Sequence, residues 1–566
     1  MNSLIVLSIT LPLLLALMAL FESLRSGLIR SLPWAVLPAL CLALLVNENL
    51  VISLPYGLTG VLLGIDETRR LFLLLATLLW GVAGVYAIGY LQRDVKQWQF
   101  SLFWLLTLSG NLGLILSFDA LSFYSFFALM TFAGYGLVVH TGSSEATYAG
   151  RIYLIMAMMG EGLLLVGLLA AVYVAGVNPA LDQLPLAIAN SSSPVLISIM
   201  ILLGFGIKAG LPILHLWLPL AHPVAPVPAS AVLSGVMIKA GLLGWLIFLP
   251  LGEMSLTTLG ILVVVLGVVA AIGAALIGIC QRKAKTVLAY SSISQMGWMT
   301  MMVGLMLLEA SLAPILIPLV ALFALHHGLA KGALFLSVPM NTGRTLSWLW
   351  VLLPAFSLMG LPFTSGLLVK TAFKREIVDP VSQYWILAWL PGLLSIAAIG
   401  TCLLMFRFLG CLTKHPSADP IHPAQRGSFV MLSLLSGFAF LGLPFLGASV
   451  GIELTQAAEF SAVYPLLLAS LLFLVSWMLG FNQPNIPPGD LLIPIRSVMS
   501  HLYAVSNDFV SARYEVSWQR MTLWLNEKKT RYQDLVAPEV IETAMRKQVV
   551  WIFLGLAVSF VAILRL

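Results

Sequence analysis

The chain has 566 residues, of which 60% are hydrophobic and only 9% charged, against roughly 25% charged in an average soluble domain. That leaves too little polar surface to cover a globule of this size, and a water-soluble enzyme is excluded. The net charge of +6 is small for the length, so the placement of the charges matters more than their sum.

Continuous apolar runs such as LIVLSITLPLLLALMALF and RLFLLLATLLWGVAGVYAIGYL predict helical spans and exclude a β-barrel, whose strands alternate residue by residue. In chain order the spans are expected near 3–22, 28–46, 70–92, 100–117, 119–140, 150–176, 194–219, 226–251, 256–279, 286–306, 310–338, 344–370, 383–410, 427–447, 461–481 and 548–566, about 16 in all. The first has no basic residues before it and no small-residue cleavage site after it, so it is expected to be retained. Signs alternate along the connections. Arg25 and Arg30, Arg93 and Lys96, Arg282, Lys283 and Lys285, Arg344, Lys414 and Arg426 fall on one side; Glu48, Asp66 and Glu67, Asp119, Asp182, Glu253 and Glu309 fall on the other. The positive-inside rule puts the first group in the cytoplasm and both termini outside. Arg69 and Arg70, and Lys374 and Arg375, break the pattern, which means misplaced span ends or a buried site.

From about 490 to 545 the chain turns polar, yet Ile495, Val498, Leu502, Val505, Phe509, Ala512 and Val516 recur at three- and four-residue steps. This predicts a basic amphipathic helix along the cytoplasmic surface, as a headgroup anchor or as a brace against a partner subunit. Cys41, Cys280, Cys402 and Cys411 have no CxxC spacing and read as packing residues. Metal ligands, a phosphate-binding loop and a site for NADH or flavin are not expected, nor is a nucleic-acid surface.

A charge at bilayer depth costs about 2.5 to 3.5 kcal/mol, so the few that remain are functional candidates. Lys208 (LLGFGIKAGLP), Lys239 (SGVMIKAGLLG), Lys331 (HHGLAKGALF) and Lys370 (GLPFTSGLLVK) qualify, since desolvation lets a buried lysine give up its proton. Gly210-Leu211-Pro212 and Gly360-Leu361-Pro362 are identical tripeptides inside apolar runs, where proline breaks the helix and the recurrence suggests an internal repeat. His327 stands four residues before Lys331 on one helix face, with His326 beside it, as a candidate relay. His215 and His222 flank WLPLA in a proline-rich stretch and fit a structural role.

Together GFGIKAGLPILHLWLPLAHPVAPVPASAVLSGVMIKAG, LAYSSISQMG, HHGLAKGALF and GLPFTSGLLVK resemble the antiporter-like subunits of respiratory complex I, Mrp Na+/H+ antiporters and membrane-bound hydrogenases, over roughly residues 60 to 410. The resemblance implies an all-α polytopic fold with two inverted five-helix repeats and broken helices, and a proton relay through buried lysines, histidines and a glutamate. It implies N-terminal helices over 1–60, a proton-translocating core over 61–410, further core helices over 411–485, a lateral helix over 486–546 and a last span over 547–566. By motif, Lys208 matches the broken-helix lysine, Lys239 the connecting base, His327 and Lys331 the second-half pair, and Lys370 the exit residue.

Departures from the family pattern are Ala128 in FFALM, where a glutamate is usual, Leu220 in place of an acid, and Phe323 in place of a histidine. Glu161, one span later in MAMMGEGLLLVG, is expected either to replace the missing acid beside Lys208 or to face elsewhere, towards a partner. The implied function is proton translocation, with or without Na+ exchange, in a multisubunit complex of a bacterial inner membrane. Partners would be other membrane subunits and the lipid bilayer, together with a cytoplasmic redox or zinc-containing subunit. The alternatives are a membrane coupling subunit for inorganic-carbon uptake and a scaffold that no longer conducts.

Overall fold

A computed structural model describes residues 1–488 apart from 47–48, 56–59, 177–178, 341–344, 383, 385–386, 415–420, 453, 455–459 and 480–485. The expected lateral helix beyond residue 488 and the expected last span lie outside the described residues. In chain order the main elements are α1 (Asn2–Leu17), α2 (Leu37–Leu45), strands β1 (Leu50–Leu54) and β2 (Val61–Ile65), α3 (Glu67–Tyr90), α4 (Gln97–Leu116), α5 (Ala120–Val138) and α6 (Ser144–Ala175). There follow α7 (Pro194–Ala209), α8 (Trp217–Val224), α9 (Val227–Val232), a π turn (Leu233–Met237), α10 (Ile238–Phe248), α11 (Thr257–Ile279) and α12 (Ala284–Leu308). The last are α13 (Ala313–Ser337), α14 (Thr345–Met359), α15 (Ser365–Ser382), α16 (Leu390–Lys414), α17 (Pro423–Ser449) and α18 (Phe460–Met478). Among the described residues eleven helical runs are long and apolar enough to cross a membrane, and three shorter apolar helices accompany them. α12 is not one of the eleven, because its serines and Gln295 lower its hydropathy, yet almost all of it is buried.

Several helix starts are capped by side chains. Asp66, Asp119 and Ser143 accept from backbone amides at the starts of α3, α5 and α6, satisfying donors that would otherwise be orphaned in an apolar setting. The all-α expectation needs one addition. β1 and β2 pair antiparallel from Leu50↔Ile65 to Leu54↔Val61, where LVISL and VLLGI are rich in β-branched residues and too short to span. Buried Asp119 fixes this hairpin: Oδ2 accepts from Leu62 N at 2.9 Å while Oδ1 accepts from Ser122 N at 2.7 Å.

Both irregularities in the charge pattern have local causes. Arg69 pairs with Asp66, which also caps its helix, and its guanidinium lies 4.0 Å from the Phe118 ring centre. Lys374 and Arg375 lie inside α15, which runs on to Ser382, well past the expected span end at 370; Lys374 Nζ donates to Ser395 Oγ at 3.3 Å and Arg375 pairs with Glu376 at 2.9 Å.

Close contacts place the ends of several helices. Phe118 N donates to Leu62 O at 2.8 Å and Leu181 N to Phe118 O at 3.1 Å, gathering the starts of α3 and α5 and the ends of α4 and α6 at the hairpin end. At the opposite end Lys283 lies 3.8 Å from Glu145, Lys285 Nζ donates to Ala225 O at 2.6 Å, and Tyr86 Oη donates to Leu336 O at 3.2 Å. The run α7–α8 therefore goes from the hairpin end to the Lys283 end, and α14–α15 goes the other way. Glycine lets α11 and α12 touch backbone to backbone: a Cβ on Gly297 would sit 2.6 Å from Gly267 O, and one on Gly267 2.8 Å from Gly297 O.

Candidate functional site: two broken helices with buried lysines

Both GLP tripeptides break their helices, and the backbones match at an offset of 150 residues. Gly210 has φ +84° and Gly360 φ +82°; Ile213 and Phe363, one residue beyond each proline, also have positive φ, at 71° and 62°. The amide of Leu211 reaches back to Gly206 O at 2.9 Å, and that of Leu361 to Phe356 O at 3.2 Å. A β-branched or aromatic residue in the left-handed region is strained, so surrounding structure must hold it there.

The first break carries an acid and a base around one small cavity of about 20 Å³, lined by Phe127 and Thr131 of α5, Tyr153, Ala157, Gly160 and Glu161 of α6, Gly204, Ile207 and Lys208 of α7, and Trp217 of α8. The spacing Tyr153, Ala157, Gly160 and Glu161 puts all four on one side of α6. Lys208 occupies the last turn of α7, where the helix dipole favours a cation. Its Nζ donates to Tyr153 Oη at 3.1 Å, and that hydroxyl donates to Thr131 O at 2.7 Å. The rings of Tyr153, Trp217 and Phe127 stand 5.2, 5.7 and 5.9 Å from the ammonium. Trp217 Nε1 donates to Ile207 O at 2.8 Å, satisfying a carbonyl freed by the break. Glu161 is buried on the same cavity, but neither of its carboxylate oxygens meets a hydrogen-bond donor. The expected partners thus share a space sized for about one water, without a direct bond. Ala128 lies outside the cavity wall, between Phe127 and Thr131 in sequence.

The second cluster has only bases, hydroxyls and carbonyls. The π turn shifts the helix from i+4 to i+5 bonding, and Lys239 Nζ donates to Ser234 O inside it at 2.7 Å. Ser234 Oγ meets Ser292 Oγ at 2.7 Å; Ser292 Oγ donates to Leu288 O at 3.0 Å, and Lys331 Nζ donates to the same carbonyl at 2.9 Å. Gly328 lets α13 approach the π turn, since a Cβ there would lie 2.6 Å from Gly235 O. His327, fully buried, has both ring nitrogens without a hydrogen-bond partner and lies within electrostatic range of Lys239, Lys331 and Lys370. Lys370 Nζ reaches back across the break to Leu358 O at 2.6 Å. Leu358 is the position 150 residues after Lys208, so both halves set an ammonium at the end of the first half-helix, from opposite sides of the break.

Sequence reasoning missed several partners. His326, adjacent to the expected His327, faces the second break: its Nδ1 lies 2.8 Å from Ser365 Oγ, which in turn lies 2.9 Å from Ser357 Oγ. Tyr153, Thr131, Ser234 and Ser292 carried no signal, because hydroxyls in apolar helices usually bond back to their own backbone. His222 packs on the Phe335 ring at 5.0 Å, and its carbonyl accepts from Ser230 Oγ at 2.9 Å. Among the described residues no group of three or more His, Cys, Asp or Glu side chains could hold a metal.

Fold and site together define a polytopic helical membrane protein with two broken helices, each with a buried lysine ammonium set at the break. Residues 117–395 match the family described as NADH:quinone oxidoreductase/Mrp antiporter, TM. It is 27% identical over 457 residues to hydrogenase-4 component B of Escherichia coli, covering 76% of this chain and 64% of that one. It is 31% identical over 346 residues to Na(+)/H(+) antiporter subunit A1 of Staphylococcus haemolyticus, covering 56% and 42%. The chain thus spans less than two thirds of both relatives. The solved Mrp complex from Dietzia sp. DQ12-45-1b contains a chain of the same fold, with a TM-score of 0.72 at 18% identity, covering 95% of this chain and 63% of that one.

Proposed function

We propose that the chain is a proton-translocating membrane subunit of a multisubunit complex, in which Glu161, Lys208, Lys239, His327, Lys331 and Lys370 pass protons between them. The observation that carries this reading is the burial of Glu161 and Lys208 on one cavity that fits about one water. A carboxylate with no hydrogen bond is costly in an apolar bundle, whereas one that takes its proton from a bridging water, or returns it, has a use for that position. Glu161 thereby does from α6 what an acid at position 128 would do from α5. The opposite directions of the two broken runs and their matched backbone torsions support two inverted repeats within about 16 spans, with a proton-translocating core over 61–410 between N-terminal helices (1–60) and further core helices (411–485). Acidic connections at the hairpin end and basic ones at the Lys283 end support the latter as cytoplasmic, with both termini outside. The partners are other membrane subunits and lipid; residues 486–546 would brace a neighbour, 547–566 would form the last span, and a redox or zinc-containing subunit would sit on the cytoplasmic face.

The test is proton flux in vesicles carrying the intact complex. Glu161→Gln keeps shape and removes the charge, and the expected fall in flux is about a hundredfold or more, the usual worth of a positioned acid or base. Unchanged flux would overturn the assignment of Glu161. A scaffold that does not conduct would show no flux in the wild type either.

A further inference from the structure

The segment LAYSSISQMG supplies Leu288 O and Ser292 to the second cluster, but its Gln295 has no part in the relay described so far. It forms part of α12, where Leu288, Ser292, Gln295 and Trp298 follow three- and four-residue steps and so share one face. At one end of that face Leu288 O holds Lys331 Nζ at 2.9 Å, and one turn on Ser292 Oγ meets Ser234 Oγ at 2.7 Å. Gln295 Nε2 donates to Thr401 Oγ1 on α16 at 2.9 Å, and beyond it the Trp298 ring centre lies 5.5 Å from Lys370 Nζ. Gln295 is fully buried and its Oε1 has no hydrogen-bond donor. An orphaned amide oxygen costs about 1 to 3 kcal/mol, so its retention in the middle of a packed helix calls for a donor that comes and goes.

We propose that Ser292 and Gln295 are the positioning residues that join the Lys239–Lys331 pair to Lys370, with Gln295 Oε1 accepting a hydrogen bond from a water in transit. The ten residues from Leu288 to Trp298 cover about 15 Å at 1.5 Å per residue, more than one lysine side chain can bridge. A proton leaves the Lys331 ammonium for water, passes to the next water while the Ser292 hydroxyl and Gln295 amide orient the donors, and arrives on the Lys370 amine. Neither Ser292 nor Gln295 changes charge, and no bond other than O–H and N–H forms or breaks.

The inference rests on the relay proposed above, and one set of measurements separates the two. In vesicles carrying the intact complex, Gln295→Leu is expected to lower proton flux about tenfold, as expected of one lost hydrogen bond to a charged carrier, and Gln295→His to restore most of it. A histidine there would also make the flux depend on pH through a group the wild type lacks, which a packing role would not produce. If Lys331→Ala stops flux while Gln295→Leu and Ser292→Ala leave it unchanged, the link is overturned and the relay stands. If Lys331→Ala also leaves flux unchanged, relay and link both fall. Should Gln295→Leu lower the thermal midpoint as well as the flux, Ser292→Ala decides, with normal flux overturning the link.

Discussion

The two breaks share a backbone and differ in chemistry. Each has a left-handed glycine, a proline two residues later and a strained residue after that. Around the first the chain places one acid, one lysine and three aromatic rings on a cavity of about 20 Å³. Around the second it places lysines and histidines, with serine hydroxyls and backbone carbonyls as their partners. The difference teaches that the break supplies a position for an ammonium, while the surrounding helices decide what that ammonium exchanges with.

The largest effect expected from probing this contrast is at Tyr153. Tyr153→Phe removes the acceptor of Lys208 and the donor to Thr131 O together. Hydrogen bonds to charged groups contribute about 1.5 to 3 kcal/mol, so vesicle flux should drop by about tenfold or more. Among the described residues no tyrosine is hydrogen-bonded to Lys370, so an undisturbed flux would mean that the aromatic wall is packing alone. A smaller effect compares the glycines. Both have positive φ, and Gly→Ala there costs about 1 to 2 kcal/mol. A Cβ on Gly210 would also meet Leu218 Cδ1 at 2.7 Å, whereas on Gly360 its nearest neighbour is Lys370 Cδ at 3.7 Å. Thermal unfolding in detergent should therefore rank Gly210→Ala below Gly360→Ala, and equal midpoints would show that Leu218 gives way freely.

The smallest effect lies outside both breaks. Asp94, in the turn between α3 and α4, is pushed up by partial burial but held below the usual carboxylate range by His140 Nε2 at 2.9 Å and the Lys96 amide at 2.7 Å. A lowered carboxylate pKa stabilises above the unfolded value near 3.9 and loses its contribution as pH falls through the folded value. Asp94 is partly exposed at the rim, so Asp94→Asn should lower the midpoint by only about 1 °C at neutral pH. The gap should close in strong acid. A drop comparable to Gly210→Ala would make this rim contact a structural equal of the breaks.

Where apolar runs were long, the sequence located the helices well: the first fifteen expected segments fall on the observed helices, with 194–219 and 344–370 each divided by a GLP break. The four lysines were legible because charge is scarce in this chain, which makes each exception conspicuous. The hairpin was not, since ten strand residues between two spans have the same hydropathy as a span end. Nor was the pairing of His326 with the second break rather than His327, because adjacent helical residues differ by about 100° in direction and only packing decides which one faces inward. Glu161 was visible as an isolated acid, but the fact that it faces Lys208 without touching it depends on the separation of α6 and α7, which no local pattern encodes.

The torsions at Ile213 and Phe363 bear on how these breaks can change over generations. Each interruption combines a proline whose missing amide breaks the helix, a glycine that enters the left-handed region without strain, and a following side chain that the surrounding packing holds there. Replacing one of the three leaves the others and that packing in place. Reversion to an ordinary span would need several coordinated substitutions, whereas the residues facing each break can vary singly. An acid can thus move from one helix to its neighbour while the interruption that gives it purpose stays in place.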